Sequence, residues 1–283
     1  IPKRDWSSDV CSSDLFTSPQ AKALSSRISE TIYYQAIKTS MELSKKHGPF
    51  EKFRESRYAD GKLQVQLARD TQEIFPETNF DWDALAQDVR KNGIRNSLLI
   101  AIAPTATIAS IMGSYESIEP QVANVFKRET LSGEFLQVNR YLINDLKRAG
   151  IWSPGLRDKI IASDGSIQQI EEIPANIREL YKTAWEISQK DLIDMAVLRS
   201  AFICQSQSLN LFMEDPNVGK LSSMYMYAWK QGVKTTYYLR SRAKTSIKKT
   251  TVDAAASAPA KTYTAEEAVV CSLENPEACE ACQ

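Results

Sequence analysis

Residues 95–113 read RNSLLIAIAPTATIASIMG. The short apolar run 98–103 predicts a buried strand that is covered on both faces. Pro104 ends this strand, because proline cannot donate to a central ladder, and Thr105 is a favourable N-cap for a helix over 106–112. A strand that leads into a helix N-terminus presents free N–H groups and a positive dipole end. The stretch therefore predicts an α/β fold with a potential anion site, although an ordinary strand–helix junction would give the same pattern.

The bulk composition is that of an ordinary globular chain. Its 283 residues are 43% hydrophobic and 25% charged, enough for one large or two modest domains. Lys plus Arg and Asp plus Glu both total 35, so no global basic field favours binding to DNA. No apolar run is long enough to span a membrane, and the first residues contain no secretory apolar core. We therefore expect a cytoplasmic protein with no membrane partner.

The cysteines suggest redox chemistry near the end of the sequence. Cys279 and Cys282 have C-x-x-C spacing, and Cys271 lies shortly before them. This spacing suits a reversible disulfide or half of a zinc site. We favour the redox interpretation, because zinc needs four ligands and the chain has a single histidine, His47. The alanine-rich stretch 254–260 predicts a flexible linker before the cysteine pair.

Hydrophobic periodicity predicts several further elements. Residues 24–46 should form a helix with Leu24, Ile28, Ile32, Ala36, Ile37 and Met41 on its apolar side. A shorter helix should run from 82 to 92, and residues 177–203 read as the longest helix. Strands are predicted at 122–130, 209–213 and 233–239.

Other candidate residues have strong structural explanations. Tyr237 and Tyr238 lie in a predicted strand, where neighbouring side chains point to opposite faces, so only one of them would line a given cleft. Glu116 and Glu119 could form a carboxylate pair, but solvated loop charges are the better interpretation. Cys204 reads as a small buried hydrophobic residue.

Taken together, the motifs resemble the large subunit of class I ribonucleotide reductase. The matching segments, in chain order, are 30–34 (ETIYY), 93–101 (GIRNSLLIA), 104–107 (PTAT), 116–120 (ESIEP), 131–135 (LSGEF), 185–190 (WEISQK), 205–210 (QSQSLN), 227–232 (YAWKQG) and 271–275 (CSLEN). The resemblance covers nearly everything after residue 15. Residues 1–15 (IPKRDWSSDVCSSDL) instead resemble a translated sequencing adapter, and Cys11 is given no role.

The resemblance implies an architecture and a reaction. Residues 16–242 would form the C-terminal part of a ten-stranded α/β barrel with a small α/β appendage, and 243–283 a linker and flexible redox tail. The family reduces ribonucleoside diphosphates to deoxyribonucleoside diphosphates by radical chemistry.

The resemblance also implies site residues. The substrate diphosphate would be bound by Pro104, Thr105, Ala106, Thr107 and Ile108. Ile108 has no hydroxyl where the family often has one, so it would contribute only its backbone N–H. Tyr237 and Tyr238 would transfer the radical that the metal-bearing small subunit supplies. Cys279 and Cys282 would form the tail dithiol, which thioredoxin or glutaredoxin reduces.

Some functional parts of the family are expected upstream of this sequence. They include the thiyl-radical cysteine, the sites for ATP and deoxynucleotide effectors, and regulatory regions of the large-subunit homodimer. The chain is therefore expected to be a fragment that binds no cofactor or metal itself, is inactive alone and tends to associate. Two other functions remain open, a thiol- or zinc-binding adaptor and a self-contained phosphosugar-binding α/β enzyme.

Overall fold

The computed structural model describes residues 15–130 and 133–242. Its helices are α1 (Pro19–His47), α2 (Gln64–Thr71), α3 (Trp82–Asn92), α4 (Ala106–Met112), α5 (Arg140–Arg148), α6 (Pro154–Ala162), α7 (Ala175–Leu180), α8 (Gln189–Ser200) and α9 (Val218–Lys230). Its strands are β1 (Val125–Thr130), β2 (Gly133–Val138), β3 (Leu211–Phe212) and β4 (Leu239–Arg240). The predicted leader, linker and tail, including Cys11, Cys271, Cys279 and Cys282, lie outside the described residues, apart from position 15.

Capping side chains explain where α1 and α3 begin. The Ser18 hydroxyl accepts from Ala21 N–H at 3.0 Å, and the Asp81 carboxylate accepts from Ala84 N–H at 2.9 Å. Both helices end at a glycine with positive φ, 77° at Gly48 and 75° at Gly93. At Gly93 a Cβ would also lie 2.8 Å from Pro49 Cβ, so this turn needs glycine. The structure confirms α3 with its predicted bounds and the existence of the first helix, although α1 begins at Pro19 and not at the predicted residue 24.

The predicted apolar face of α1 is only partly correct. Ile37 and Met41 are buried, together with Tyr33, whereas Leu24, Ile28 and Ile32 are exposed. Each step of four residues advances about 40° around a helix, so a series with this spacing passes from one face to another. The buried face is the one that packs against α3 and α8.

An aromatic cluster forms the largest core, between α1, α3 and the turn after α8. Trp82 is almost completely buried, and its ring stacks on Tyr33 at a centroid distance of 5.6 Å and on Phe202 at 5.8 Å. Rings at such separations add to the energy of apolar burial. A separate cluster links β1 with α5, α6 and residues 167–177, beside the antiparallel hairpin of β1 and β2.

The ammonium group of Lys22 joins α1 to α8. It lies 2.6 Å from Asp191 Oδ1 and 3.2 Å from Asp194 Oδ2. Burial alone would lower the pKa of Lys22, but the hydrogen bond to Asp191 and the charges of both aspartates outweigh it. The pKa of Lys22 is therefore raised above its usual value of 10.5.

We expect Lys22→Met to lower the free energy of unfolding by about 1–2 kcal/mol at pH 7, because it removes the ammonium partner of the partly buried Asp191 carboxylate. Asp194 keeps Lys190 at 3.6 Å and the Tyr227 hydroxyl at 2.6 Å, so it contributes less to the loss. The folded-state pKa of Lys22 is the higher one. Its contribution is therefore complete below the unfolded-state value of 10.5 and is lost as the pH rises through the higher folded-state pKa. Urea denaturation at pH 7 and at alkaline pH measures this difference. Lys45→Met, which removes an exposed pair with Glu42, should have almost no effect, and equal losses in the two variants would contradict the prediction.

The prediction of one long helix over 177–203 is wrong. The segment is divided into α7 and α8 by residues 181–188, where Ala184 N–H donates to the Gln121 carbonyl at 2.8 Å. The Glu186 carboxylate accepts from Thr183 N–H at 2.7 Å and from the Ser166 hydroxyl. The bonds to Gln121 and Ser166 are tertiary, and with the local bond between Thr183 and Glu186 they replace helical ones. The sequence therefore keeps a helical periodicity where the chain leaves the helix.

The run 98–103 is extended, but it is not a strand covered on both faces. It forms one parallel bridge, between Ile102 and Gln207, and Leu98 is 55% exposed. Residues 205–208 lie along one edge of the run. The apolar pattern predicts a core strand, but burial depends on tertiary neighbours. Leu99 and Ile100 pack partly buried against the aromatic core, whereas Leu98, Ala101 and Ala103 are exposed.

No helix in the described ranges is both long enough and apolar enough to cross a membrane.

Candidate functional site

Three parallel segments form the ribbon on which the candidate site lies. Ile102 N–H donates to Ser206 O at 3.2 Å, and Ser208 N–H donates to Ile102 O at 2.8 Å. On the other side, Tyr237 N–H donates to Leu209 O at 2.8 Å. The register pairs Ile102 with Gln207 and Leu211 with Leu239. Ile102, two residues before Pro104, and Tyr237 therefore hydrogen-bond to opposite sides of the same central segment, Ile102 at Ser206 and Ser208 and Tyr237 at Leu209.

Cys204 fixes the start of the apolar run. Its sulfur accepts the N–H groups of Leu99 and Ile100, each at 3.1 Å. The residue is half-buried and bears a free thiol, so the prediction of a merely hydrophobic cysteine is incomplete. The bonds hold the segment that leads into the turn at residues 104–108.

The turn begins α4 as predicted, but Thr105 does not cap the helix in the ordinary way. Thr105 has φ of 54°, and its carbonyl accepts from Ala109 N–H at 2.8 Å. Its hydroxyl oxygen accepts from Ser117 N–H at 3.2 Å. First-turn N–H groups have no intrahelical partner, so Thr107 and Ile108 can offer theirs to an anion. The Ile108 side chain is 65% exposed and carries no polar group.

Tyr237 and Tyr238 form a contacting pair rather than pointing to opposite faces. Their ring centroids are 4.1 Å apart with an interplanar angle of 57°, and both side chains are about half exposed. The hydrogen bond with Tyr238 raises the pKa of Tyr237 above the ordinary value of 10.0. The prediction of opposite faces was wrong because β4 begins only at Leu239, so the tyrosines precede the regular strand.

Glu119 connects the loop after α4 to the centre of the ribbon. Its two carboxylate oxygens accept from the backbone N–H and side-chain amide of Asn210, at 3.2 and 3.0 Å. Its charge also attracts Arg199, where burial lowers the pKa of the guanidinium to about 10. Glu119 therefore has a structural role as the hydrogen-bond acceptor of Asn210. The interpretation of Glu119 from the sequence as a solvated loop charge was wrong. Both residues lie in motifs that carry the family resemblance.

Arg240 extends the site beyond the tyrosine pair. Its guanidinium carbon lies 5.8 Å from the ring centroid of Tyr238, and its Nη2 lies 3.7 Å from Glu116 Oε1. An open cleft of about 700 Å³ adjoins β4 on residues that include Trp185, Arg240 and Arg242. Sequence reasoning missed Arg240, although it follows the tyrosines by only two residues.

Within the ranges 15–130 and 133–242, no three side chains of His, Cys, Asp or Glu are grouped as a metal site would require.

Comparison with known proteins identifies the family. The family profile described as "Ribonucleotide reductase, barrel domain" matches residues 13–239. The chain belongs to this family. It is 44% identical over 281 residues to the ribonucleoside-diphosphate reductase large subunit of Arabidopsis thaliana, and the match covers 94% of this chain and 34% of that protein. It is 49% identical over 240 residues to the corresponding large chain of Cryptosporidium parvum, covering 84% of this chain and 29% of that protein.

A solved ribonucleotide reductase supports the same relationship. The class Id ribonucleotide reductase alpha subunit of Actinobacillus ureae matches with a TM-score of 0.60 and 26% identity. The match covers 81% of this chain and 36% of that one. The predicted α/β class is thus confirmed for this reductase-family chain, which spans about a third of the length of the curated relatives that it matches.

Proposed function

We propose that this chain is part of a ribonucleoside-diphosphate reductase large subunit, in which it contributes the diphosphate-binding turn and the tyrosine relay. The observation that supports the proposal is the three-segment ribbon, in which Ile102, just before the turn, and Tyr237 hydrogen-bond to the same central segment from opposite sides. In addition, every large-subunit relative described above bears the name of this activity. The parallel segments 100–102, 205–213 and 237–240 would be three strands of the family's ten-stranded barrel.

The turn would bind the two phosphates of the substrate. The hydroxyl of Thr107 and the N–H groups of Thr107 and Ile108 can donate to phosphate oxygens, and the positive end of α4 favours their charge. The lack of a hydroxyl at Ile108 leaves one donor fewer than a serine or threonine would offer. Because no cationic side chain belongs to the turn, the bound phosphates would depend on these neutral donors.

The tyrosines would carry an electron and a proton between the small subunit and the substrate site. A phenol with a pKa of about 10 is neutral at pH 7, so its oxidation has to release a proton together with the electron. The contact between the rings provides a short path for the electron, and the hydrogen bond between the phenols provides one for the proton. Half-exposed rings are also accessible to a docking small subunit.

The net reaction replaces the ribose 2′-hydroxyl with hydrogen and releases water, while a dithiol becomes a disulfide. We propose that Cys279 and Cys282 restore the dithiol and are themselves reduced by thioredoxin or glutaredoxin. Both cysteines lie outside the described residues, so this part of the proposal rests on sequence spacing and family resemblance. The homodimer, the nucleotide effectors and a cytoplasmic location belong to the same proposal.

Calorimetric titration of the chain with ADP and with adenosine tests the diphosphate site. We expect ADP to bind and adenosine to bind at least about 10-fold more weakly, since charge-assisted hydrogen bonds contribute roughly 1.5–3 kcal/mol. Thr107→Val keeps the shape of the side chain but removes its hydroxyl, and should weaken ADP binding about 10-fold.

Thr31→Val is the matched control, because its exposed hydroxyl on α1 donates to the Arg27 carbonyl and not to the turn. It should leave ADP affinity unchanged. Equal affinities for ADP and adenosine, or an equal loss in both threonine variants, would count against the proposed phosphate site.

A further inference from the structure

The loop between α4 and the hairpin, residues 113–119, contacts both parts of the candidate site. At one end, Ser117 N–H donates to the Thr105 hydroxyl at 3.2 Å, so the loop is attached to the turn at residues 104–108. Next to it, Glu116 lies 3.7 Å from the Arg240 guanidinium. The loop is thus the structural connection between the turn and β4.

Arg240 in turn contacts the tyrosine pair. Its guanidinium carbon lies 5.8 Å from the Tyr238 ring centroid, within the range of a cation–π contact. The Tyr238 ring also contacts the Tyr237 ring, with 4.1 Å between the two ring centroids. Moving Arg240 would therefore release one of the contacts that hold the Tyr238 ring.

Two residues in this connection have an uncommon backbone conformation. Thr105 and Ser117 both have positive φ, 54° and 65°, which is uncommon for residues other than glycine. They are the two partners of the hydrogen bond that joins loop to turn. A change in the backbone at either residue would alter the position of Glu116 relative to Arg240.

We propose that Glu116 is a positioning residue for the tyrosine pair. Its carboxylate keeps the Arg240 guanidinium over the Tyr238 ring, and the neighbouring Ser117 connects this arrangement to the turn at residues 104–108. The inference rests on the proposed function, in which the turn binds the substrate and the tyrosines transfer the radical. Under it, occupation of the turn would adjust the alignment of the two rings. Glu116 itself touches neither the substrate nor the reacting atoms.

Fluorine NMR of the 283-residue chain tests the proposal, with 3-fluorotyrosine placed at position 237 in one sample and at 238 in another. Glu116→Gln keeps the size of the side chain and removes its charge. We expect Glu116→Gln to shift the resonance at position 238 in the same direction as Arg240→Gln does. The variant that carries both substitutions should show no further shift beyond that of Arg240→Gln alone. Exposed ion pairs are weak, so the population of the held ring should fall by roughly two- to five-fold.

The titration of position 237 separates positioning from a through-space effect of charge. If Arg240 holds Tyr238 against Tyr237, Arg240→Gln weakens the phenol hydrogen bond, and the pKa of the labelled Tyr237 falls. Loss of a nearby positive charge alone would raise this pKa instead. A rise in Arg240→Gln would therefore overturn the proposal, as would an unchanged resonance at position 238 in Glu116→Gln.

Glu214→Gln is the matched control, because Glu214 pairs with Arg242 at 2.6 Å and not with Arg240. It should leave both fluorine signals unchanged, and a shift equal to that in Glu116→Gln would overturn the proposal.

Thr105→Val, which removes the acceptor of Ser117 N–H, should shift the resonance at position 238 only when Glu116 is present. An equal shift in the presence and absence of Glu116 would contradict the link to the turn. Because no nucleotide is added, failure of this test is distinct from failure of ADP binding.

Discussion

Tyr238→Phe is expected to abolish nucleotide reduction in a large subunit that carries residues 16–283 of this chain in place of its own matching segment. The phenylalanine ring keeps the packing against Tyr237 but has no hydroxyl proton to release on oxidation. We expect turnover with the small subunit to fall at least about 100-fold, equivalent to about 2.7 kcal/mol in the barrier. The affinity for ADP should not change, since the substitution does not alter the turn at residues 104–108. Measurements of turnover and of ADP affinity on the same preparation test both statements.

Tyr225→Phe is the control for this prediction. Tyr225 is an exposed tyrosine on α9, 38% accessible to solvent, and it has no part in the proposed relay. It should retain full activity. If Tyr238→Phe kept more than about a tenth of wild-type turnover, the proposed radical role of the pair would be wrong, whatever the result of the nucleotide-binding test.

Glu30→Ala should cause the largest loss of stability among the substitutions considered. The Glu30 carboxylate is fully buried in α1 and accepts three hydrogen bonds. Oε1 accepts from Asn79 N–H at 2.8 Å and from the Trp82 indole at 3.0 Å, and Oε2 accepts from the Asn79 amide at 2.7 Å. Alanine would leave three donors unpaired beside the aromatic core. We expect the free energy of unfolding to fall by about 3–4 kcal/mol, measured by urea denaturation with tryptophan fluorescence.

Glu30→Gln distinguishes the hydrogen bonds from simple packing. Its carbonyl oxygen can replace Oε1 and keep two bonds, while its amino group meets the Asn79 amide as a second donor. We expect an intermediate loss of about 1–2 kcal/mol. Glu42→Gln on the exposed side of α1 should change stability by less than about 0.5 kcal/mol. Similar losses for Glu30→Ala and Glu42→Gln would refute the structural role of the buried carboxylate.

Elements with strong local signals were predictable from the sequence. The helix predicted over 82–92 is α3, because Asp81 and Gly93 define its two ends. The cap and the glycine act within one helical turn, so no distant contact is needed to interpret them. The helix predicted over 24–46 is α1, and its predicted end at Gly48 is confirmed, whereas its start at Pro19 lies five residues before the predicted one.

Elements that depend on distant contacts were not predictable. Residues 181–188 interrupt a continuous helical pattern because Gln121 and Ser166, far away in the chain, bind their polar groups. The buried side of α1 follows from the positions of α3 and α8, which its own periodicity does not specify. The hydrogen bonds of Glu30 also reach residues about 50 positions away.

The sequence by itself determined both ends of α3, the C-terminal end of α1, the helix that starts at residue 106 and the family to which the chain belongs. Local hydrogen bonds and fixed dihedral preferences are written in neighbouring residues, and motif order survives without coordinates. Only the tertiary structure decided that Ile102, just before the turn, and Tyr237 flank the same central segment of a parallel ribbon, and that the tyrosine rings touch. Strand register and side-chain direction depend on hydrogen bonds between segments more than 100 residues apart, here 100–102 and 205–208, and no local pattern encodes them. The run 98–103 has the pattern of a buried strand, but its burial also depends on distant segments. Within the described residues it pairs with one segment, 205–208, and Leu98 is exposed.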